Sequence, residues 1–414
     1  MKFRSSPLLG TLLVGLLSSL GLSFSASAQK AEVIHWWTSG GESAAIKQFA
    51  DAYNKSGGQW VDNAIAGGEA ARASALNRIA GGNPPTAAQF NTSKQYHELI
   101  EAGLLHDLDA VSAKEGWDTW MPAPIKNVIK VNGKYYAAPV NIHSATWFWY
   151  SKAVLAKAGV AAEPKNEDEF WAALEKIKAS GQTGFAQSGT SAYERLTFNA
   201  VLLHMGGRDL FLKTYGGDAN TLRSPALKAV LEKYKKLRNY TDAGMTGRTW
   251  NDTTALLVTD RAGFQTVGDW AKGEFIAAGK TAGKEYGCFS GWGNQAGYMV
   301  SGDVFVFPKT SNAEAIKAQQ ALATVITSPA AQVAFNSKKG SIPIRPDVDA
   351  RAMDICAQAG VAALKDPNRQ TPDAAMLIAP DVNGAVLDVI TKYWNTDMKV
   401  DEAQSRLVAV LGKK

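Results

Sequence analysis

The chain places aromatic and carboxylate side chains together at the end of its first predicted strand. Trp36 and Trp37 close a strand predicted over 33–37, and Ser39 and Glu42 follow at once. Successive side chains of a strand point to opposite faces, so the two indoles cannot fill the same core, and at least one is expected to project. An aromatic plane beside a carboxylate suits a sugar, because hydroxyl groups donate strongly to a charged acceptor.

The helix predicted over 39–54 supplies a second interpretation of Glu42. Ser39 and Glu42 have the spacing of a capping box, in which the serine caps the helix and the glutamate reaches back to it. Ligand binding and helix capping therefore both remain open for Glu42. A helix that opens directly behind a strand end is nevertheless the usual place for a ligand in an open α/β sheet.

Familiar catalytic signatures are absent from the sequence. It contains no Gly-x-Ser-x-Gly elbow, no phosphate-binding Gly-x-x-x-x-Gly-Lys-Ser/Thr loop and no His-Glu-x-x-His helix. Residues 291–296 match a dinucleotide fingerprint by letter, but they precede a strand instead of opening a helix. The five histidines lack metal-ligand spacing, so we predict neither a metal nor a cofactor. Glu42 and Asp303 could still serve as the acid and base of a carbohydrate-active enzyme.

The first 28 residues have the composition of an export signal. Lys2 and Arg4 make a basic start, 8–22 form an apolar run, and 26–28 are a small-x-small cleavage site. The run is too short and too rich in small residues for a membrane span, and the residue directly after the predicted cleavage site is Gln29, not a cysteine. We therefore expect cleavage near Ala28, release into a bacterial periplasm and no stable membrane anchor.

The charge of the chain does not favour binding to a polyanionic partner. Loss of Lys2 and Arg4 with the signal lowers the formal charge from +6 to +4, and no dense basic block remains. We therefore predict no nucleic-acid partner.

The length left after the signal suggests two sizeable domains that can bury their cores unaided. Cys288 and Cys356 are therefore not needed as a scaffold. In an oxidising compartment they can form a disulfide, and the alternative is two separate buried thiols.

Alternating strands and helices organise the chain. A helix is predicted over 70–80, a short buried strand over 86–90 and a helix over 92–102, which is typical of a parallel α/β sheet. Pro139 sits poorly in the middle of a sheet, so we place a crossing between two lobes near 139–142. A second crossing is predicted near 285–302, where glycine and polar residues are frequent.

Taken together, several segments resemble the extracytoplasmic solute-binding proteins of ABC-type sugar importers. The resemblance is to the glucose-binding members of the maltose-binding-protein-like group, and it covers essentially the whole chain after the signal. The segments that carry it, in the order of that family, are 36–42, 99–108, 133–140, 268–275, 302–305 and 339–345.

The resemblance implies an α/β fold of two lobes with a hinge, and a sugar enclosed in the cleft between them. The N-terminal lobe would comprise 29–140 plus 303–339, and the C-terminal lobe 141–302 plus 340–414. The protein would be a monomeric, non-enzymatic carrier that delivers a monosaccharide, glucose or a related hexose, to the importer permease. The alternatives are a secreted carbohydrate-active enzyme, or a binding protein for a disaccharide or a polyol.

The resemblance also implies a set of ligand-binding residues. The tryptophans would stack on the sugar, the carboxylates would accept from hydroxyl groups, and the lysine and amides would complete the hydrogen bonds. The predicted set is Trp36, Trp37, Glu42, Gln89, Asn91, His143, Trp270, Asp303 and Lys339.

Two departures from the glucose-binding pattern concern specificity. Glucose-binding relatives carry a lysine close behind the strand at Gln89, whereas this chain has Asn91 and reaches Lys94 only later. They also carry a C-terminal histidine near the position of 375–380, and no histidine follows His204 here. The pattern therefore favours a sugar cleft more strongly than it favours glucose.

Overall fold

The computed structural model describes residues 1, 29–292, 297–345, 347–349, 351 and 353–412. The predicted export signal and its cleavage site near Ala28 lie outside the described residues, as does most of the dinucleotide-like segment 291–296.

Strands and helices alternate along parts of the described chain, and runs of consecutive helices separate these parts. The strands are β1 Gln29–His35, β2 Gly58–Ala64, β3 Ala87–Asn91, β4 Lys130–Val131, β5 Lys134–Tyr135, β6 Ala137–Pro139, β7 Trp147–Ser151, β8 Thr183–Ala186, β9 Ala262–Val267, β10 Tyr286–Phe289, β11 Tyr298–Val300, β12 Asp303–Val306 and β13 Gln370–Pro372.

The described helices pack against these strands and against one another. They are α1 Gly40–Lys55, α2 Gly68–Ala80, α3 His97–Glu101, α4 Asp109–Lys114, α5 Trp117–Trp120, α6 Ala123–Ile129, α7 Lys152–Lys157, α8 Glu167–Ala179, α9 Ser191–Gly206, α10 Arg208–Tyr215, α11 Ala219–Leu222, α12 Pro225–Leu237, α13 Trp250–Val258, α14 Ala271–Ala277, α15 Ala313–Ile326, α16 Pro329–Lys339, α17 Ile355–Leu364, α18 Ala374–Leu377, α19 Pro380–Asn395 and α20 Val400–Leu411.

The first sheet has five strands in the order β2-β1-β3-β12-β6. Strand β1 pairs in parallel with β2 and β3, whereas β12 runs antiparallel to both β3 and β6. The expectation of a parallel sheet is therefore right for the first three strands only. Pro139 lies on the edge strand β6, where a residue without an N–H group is tolerated.

The second sheet has four strands in the order β10-β7-β9-β8. Strand β7 pairs antiparallel with β9 and β10, and only β8 and β9 are parallel. Strand β7 is buried along its whole length. Its aromatic side chains include Phe148, which stacks on Phe289 at a centroid distance of 4.9 Å.

The two sheets and their helices form two lobes. The chain leaves the first sheet at Pro139 and enters the second at Trp147, and it returns between Phe289 and Asp303. The lobe boundaries at 140/141, 302/303 and 339/340 remain a prediction. The residues near them that connect the two sheets belong to neither sheet, so the sheets do not define where one lobe ends.

A disulfide joins Cys288 of β10 to Cys356 at the start of α17. The structure therefore contains the disulfide and not the alternative of two separate buried thiols. The bond fastens the chain that follows α16 to the second sheet.

No helix within the described ranges is long and apolar enough to cross a membrane.

Candidate functional site

Four strand ends of the first sheet meet at one edge and carry polar side chains there. The carboxyl ends of β1, β3 and β6 lie at this edge, together with the amino end of the antiparallel β12. Asp303 begins β12 opposite Asn91, the last residue of β3. Asn141 and His143 follow β6 in the crossing segment. We call this region the cleft edge.

Asp303 is the most heavily hydrogen-bonded group at the cleft edge. Its Oδ1 accepts from Gln89 Nε2 at 3.2 Å and from Asn91 Nδ2 at 3.1 Å. Its Oδ2 accepts from Asn141 Nδ2 at 3.0 Å and from His143 Nε2 at 2.8 Å. A carboxylate has about four acceptor sites, so all of them are occupied in this conformation.

His143 uses both ring nitrogens within the protein. Its Nδ1 is hydrogen-bonded to Asp269 and its Nε2 to Asp303, and the ring is buried. Burial alone would lower the pKa of His143, but the Asp269 and Asp303 carboxylates outweigh it and raise the pKa to about 9. The imidazole is therefore protonated near neutral pH, and both N–H groups donate.

This arrangement argues against the predicted ligand role of His143. A protonated ring whose two N–H groups face carboxylates has no hydrogen bond left for a sugar. The Asn141 amide nitrogen also lies 3.0 Å from Nε2, but two donors cannot share a hydrogen bond. His143 also holds Asp303 ionised: burial would raise the Asp303 pKa, but the charges of His143 and Lys339 lower it.

Glu42 and Lys339 form a buried ion pair at the amino end of α1. Lys339 Nζ lies 3.0 Å from Glu42 Oε1, and both residues are largely buried. Lys339 is the last residue of α16, and Gly340 follows at φ 92°, a conformation that favours glycine. Glu42 Oε2 has no hydrogen-bond partner among the described residues, so it remains available to a hydroxyl group.

The capping interpretation of Glu42 is half right. The Ser39 hydroxyl accepts from the Glu42 N–H at 3.4 Å, as a cap should. The Glu42 carboxylate does not reach back to Ser39, because it pairs with Lys339 instead. Glu274 of α14 replaces it: Glu274 Oε1 accepts from Ser39 Oγ at 2.7 Å and from the Gly41 N–H at 3.1 Å.

Trp270 faces this ion pair from the second lobe. Lys339 Nζ lies 5.7 Å from the centre of the Trp270 ring, and the His143 ring meets Trp270 edge to face at 5.2 Å. Tyr193 of α9 packs edge to face on Trp270 at 6.4 Å and stacks on Trp250 at 6.5 Å. The Trp270 indole N–H is buried and reaches hydrogen-bond geometry with none of the described residues, although Tyr193 lies beside it.

The tandem tryptophans have different environments. Trp37 is 1% exposed and packs in the core, with ring centres 5.0 Å from Phe335 and 5.8 Å from Phe305. In this conformation core contacts occupy the Trp37 ring, which was predicted together with Trp36 to stack on a sugar. Trp36 is half-buried, and its backbone N–H donates to Gln89 Oε1 at 3.0 Å. Trp36 therefore remains the candidate stacking residue.

Gln89 and Asn91 are both at the cleft edge but are already engaged. Gln89 links the Trp36 backbone to Asp303, and Asn91 donates to the same carboxylate. The structure brings together all the predicted site residues except Trp37. Four further residues contribute to the site but were not predicted from the sequence, namely Asn141, Tyr193, Asp269 and Glu274. Asp269 and Glu274 lie within the segment 268–275, which the resemblance had singled out.

The site offers acceptors, donors and aromatic surface, and little that suits a metal ion. Across the described residues, no group of three or more histidine, cysteine, aspartate or glutamate side chains is arranged to hold one. Each buried carboxylate here faces a cation instead, Glu42 with Lys339 and Asp303 with His143.

Comparison with known proteins identifies the class. The family described as bacterial extracellular solute-binding proteins matches residues 47–364, and the chain belongs to this family. It is 36% identical over 412 residues to a probable sugar-binding periplasmic protein of Brucella suis biovar 1 (strain 1330), covering 97% of each chain.

Solved structures share the fold at low sequence identity. A chitin oligosaccharide binding protein matches with a TM-score of 0.80 at 18% identity, over 93% of this chain and 98% of that one. The solute receptor AcbH, described as having an exclusive preference for β-D-galactopyranose, matches with a TM-score of 0.76 at 18% identity, over 92% and 97%. These neighbours agree with the two-lobed fold.

Proposed function

We propose that this protein is a periplasmic sugar-binding protein that captures a monosaccharide, glucose or a related hexose, and delivers it to the permease of an ABC importer. The observation that carries the proposal is the meeting of Glu42 and Lys339 from one lobe with Trp270 from the other. The charged groups can form hydrogen bonds with the hydroxyl groups of a pyranose, and the aromatic face can pack on its apolar C–H surface. The Brucella suis relative, a probable sugar-binding periplasmic protein, supports the same proposal.

Binding and closure would work through the two lobes. Trp36 and Trp270 would cover apolar faces of the ring, while Glu42 Oε2 accepts from a hydroxyl and Lys339 donates to one. Because Asp303 is saturated in this conformation, Gln89 or Asn91 would turn from Asp303 toward the sugar. The ligand then stabilises the closed state by contacts that exist only there.

The enzyme alternative finds little support in the site. A glycosidase needs a general acid whose pKa is raised so that it holds a proton. The pKa of Asp303 is instead lowered by His143 and Lys339, which overcome the effect of burial. Glu42 is paired with a lysine. We therefore propose binding without catalysis.

A thermal-shift panel tests the proposal. The protein beginning at Gln29 is melted with D-glucose, D-galactose, D-mannose, D-xylose, maltose and glycerol, because a ligand of the native state raises the melting temperature. We expect a hexose to give the largest shift. A shift with maltose alone or glycerol alone would favour the disaccharide or polyol alternative, and no shift with any carbohydrate would contradict the proposal. Light scattering of the same sample tests the predicted monomer.

A further inference from the structure

An arginine that sequence reasoning passed over lies against Trp36. Arg72 of α2 places its Cζ 5.5 Å from the centre of the Trp36 ring, and both side chains approach the backbone of Gly68 at the start of α2. Arg72 is half-buried. A guanidinium group that contacts an aromatic face keeps its in-plane N–H groups free to donate.

The direction of the Arg72 side chain follows from the fold. Helical side chains lean toward the amino end of their helix, and α2 starts directly after β2. Strand β2 is parallel to β1, so the amino end of α2 lies at the carboxyl end of these strands. Arg72 therefore reaches toward the cleft edge, where the Trp36 N–H meets Gln89.

Lys339 and His143, the other cations at the cleft edge, form ion pairs with carboxylates, whereas Arg72 forms none with the described residues. Lys339 faces Glu42, and His143 faces Asp269 and Asp303. Arg72 makes neither a hydrogen bond nor an ion pair with any residue in the described part of the chain. Burial lowers the pKa of Arg72, and the charge of Glu69 offsets only part of this. A partly desolvated guanidinium gains from oxygen acceptors that the described protein does not supply.

We propose that Arg72 is a further ligand-binding residue of the cleft, oriented by Trp36 and donating paired hydrogen bonds to two adjacent oxygen atoms of the ligand. The chemistry is a vicinal diol of a neutral sugar or the carboxylate of a sugar acid, since either presents two oxygens to the planar fork of arginine. This inference rests on the proposed sugar-binding function.

Titration calorimetry on the purified protein beginning at Gln29 tests the inference. The ligands are D-glucose, D-galactose and D-glucuronate, and the variants are Arg72→Met and Arg72→Lys. Arg406→Met is the matched control, since Arg406 is on α20 and, among the residues that the structure describes, pairs only with Glu402. We expect Arg72→Met to raise the Kd of the preferred ligand at least about tenfold, because hydrogen bonds from a charged donor are lost. The control should leave the Kd unchanged.

The lysine variant distinguishes the two sources of paired oxygens. Lysine keeps the charge but loses the fork, so Arg72→Lys should restore much of the binding of D-glucuronate and little of that of a neutral hexose. Wild-type affinity in both Arg72 variants would overturn the inference and leave the proposed function standing. Failure of the wild-type protein to bind any sugar would overturn both.

Discussion

His143 joins Asp303, the first residue of β12 in the first sheet, to Asp269, which follows β9 of the second sheet. Its Nε2 lies 2.8 Å from Asp303 Oδ2, its Nδ1 is hydrogen-bonded to Asp269, and Asp269 Oδ2 also accepts from the Ser144 N–H at 3.0 Å. The imidazolium therefore sits in the crossing between the lobes and holds one carboxylate from each. Breaking this bridge by deprotonation would leave two buried carboxylates facing a neutral ring.

The bridge predicts a loss of stability at alkaline pH. The pKa of His143 rises from an ordinary 6.5 to about 9 on folding. Its stabilising contribution is therefore complete below about pH 6.5 and is lost as the pH rises through 9, by on the order of 3 kcal/mol. Denaturant unfolding from pH 6 to 10 should show this decline in the wild-type protein and a flatter curve in His143→Gln. Parallel curves for the two proteins would contradict the bridge.

Gly41 of α1 lies so close to α14 that we expect a larger residue at this position to hinder lobe closure. A Cβ at Gly41 would lie 2.6 Å from the backbone carbon of Gly273 in α14, whereas a Cβ at Gly40 meets only Glu274 Oε2 at 4.0 Å. Gly41→Ala should therefore oppose closure and weaken sugar binding by on the order of 1–3 kcal/mol, roughly 5- to 150-fold. Gly40→Ala is the matched control.

Calorimetry and small-angle scattering check both glycine variants. The Gly41→Ala protein should keep a larger radius of gyration in the presence of the sugar, and the Gly40→Ala protein should contract as the wild-type protein does. Equal affinities for the two variants would mean that α1 and α14 do not meet in the bound state.

Alanine substitutions of the two tandem tryptophans should have different effects, one mainly on the stability of the fold and the other mainly on sugar affinity. Trp37→Ala removes a ring packed on Phe305 and Phe335 and should cost about 3–5 kcal/mol of unfolding free energy. Trp36→Ala should cost much less stability and weaken sugar binding. Urea unfolding and calorimetry on both variants measure the two quantities. The opposite pattern, with affinity lost only in Trp37→Ala, would place the stacking surface on the other ring.

The disulfide should stabilise the native chain. Cys288 and Cys356 are 68 residues apart in sequence, so their bond restricts the unfolded chain considerably. Replacing both with serine should lower the unfolding free energy by about 2–4 kcal/mol. Thiol titration of the unfolded, unreduced protein should detect no free thiol, and two free thiols would refute the bond.

Local sequence patterns predicted several of the helices and strands. The serine cap and apolar spacing predicted α1 to within one residue, and the helix predicted over 70–80 matches most of α2. Strand β2 was missed because its alternation is weak and most of its residues are only partly buried. The antiparallel pairing of β12 was also not predicted, since strand direction depends on the chain's return from the second lobe.

The site was harder to predict because its partners are distant in sequence. Nothing near Glu42 indicates that its carboxylate meets Lys339, 297 residues later, or that Glu274 takes its place at the cap. The alternation that sets Trp36 and Trp37 on opposite faces was predictable, but which indole enters the core depends on Phe305 and Phe335. The hydrogen-bond partners of His143 were equally hard to predict, since Asp269 and Asp303 come from two other segments.

The central claim is that a sugar binds where Glu42, Lys339 and Trp270 meet, and calorimetry of Glu42→Gln tests it most directly. The exposed Glu402→Gln is the matched control, and the ligand is the hexose with the largest thermal shift. We predict one site per chain in the wild-type protein and the control, and an affinity at least about tenfold weaker in Glu42→Gln, since a charged acceptor is lost. Unchanged affinity in a folded Glu42→Gln protein, or no heat of binding from any sugar, would contradict the claim.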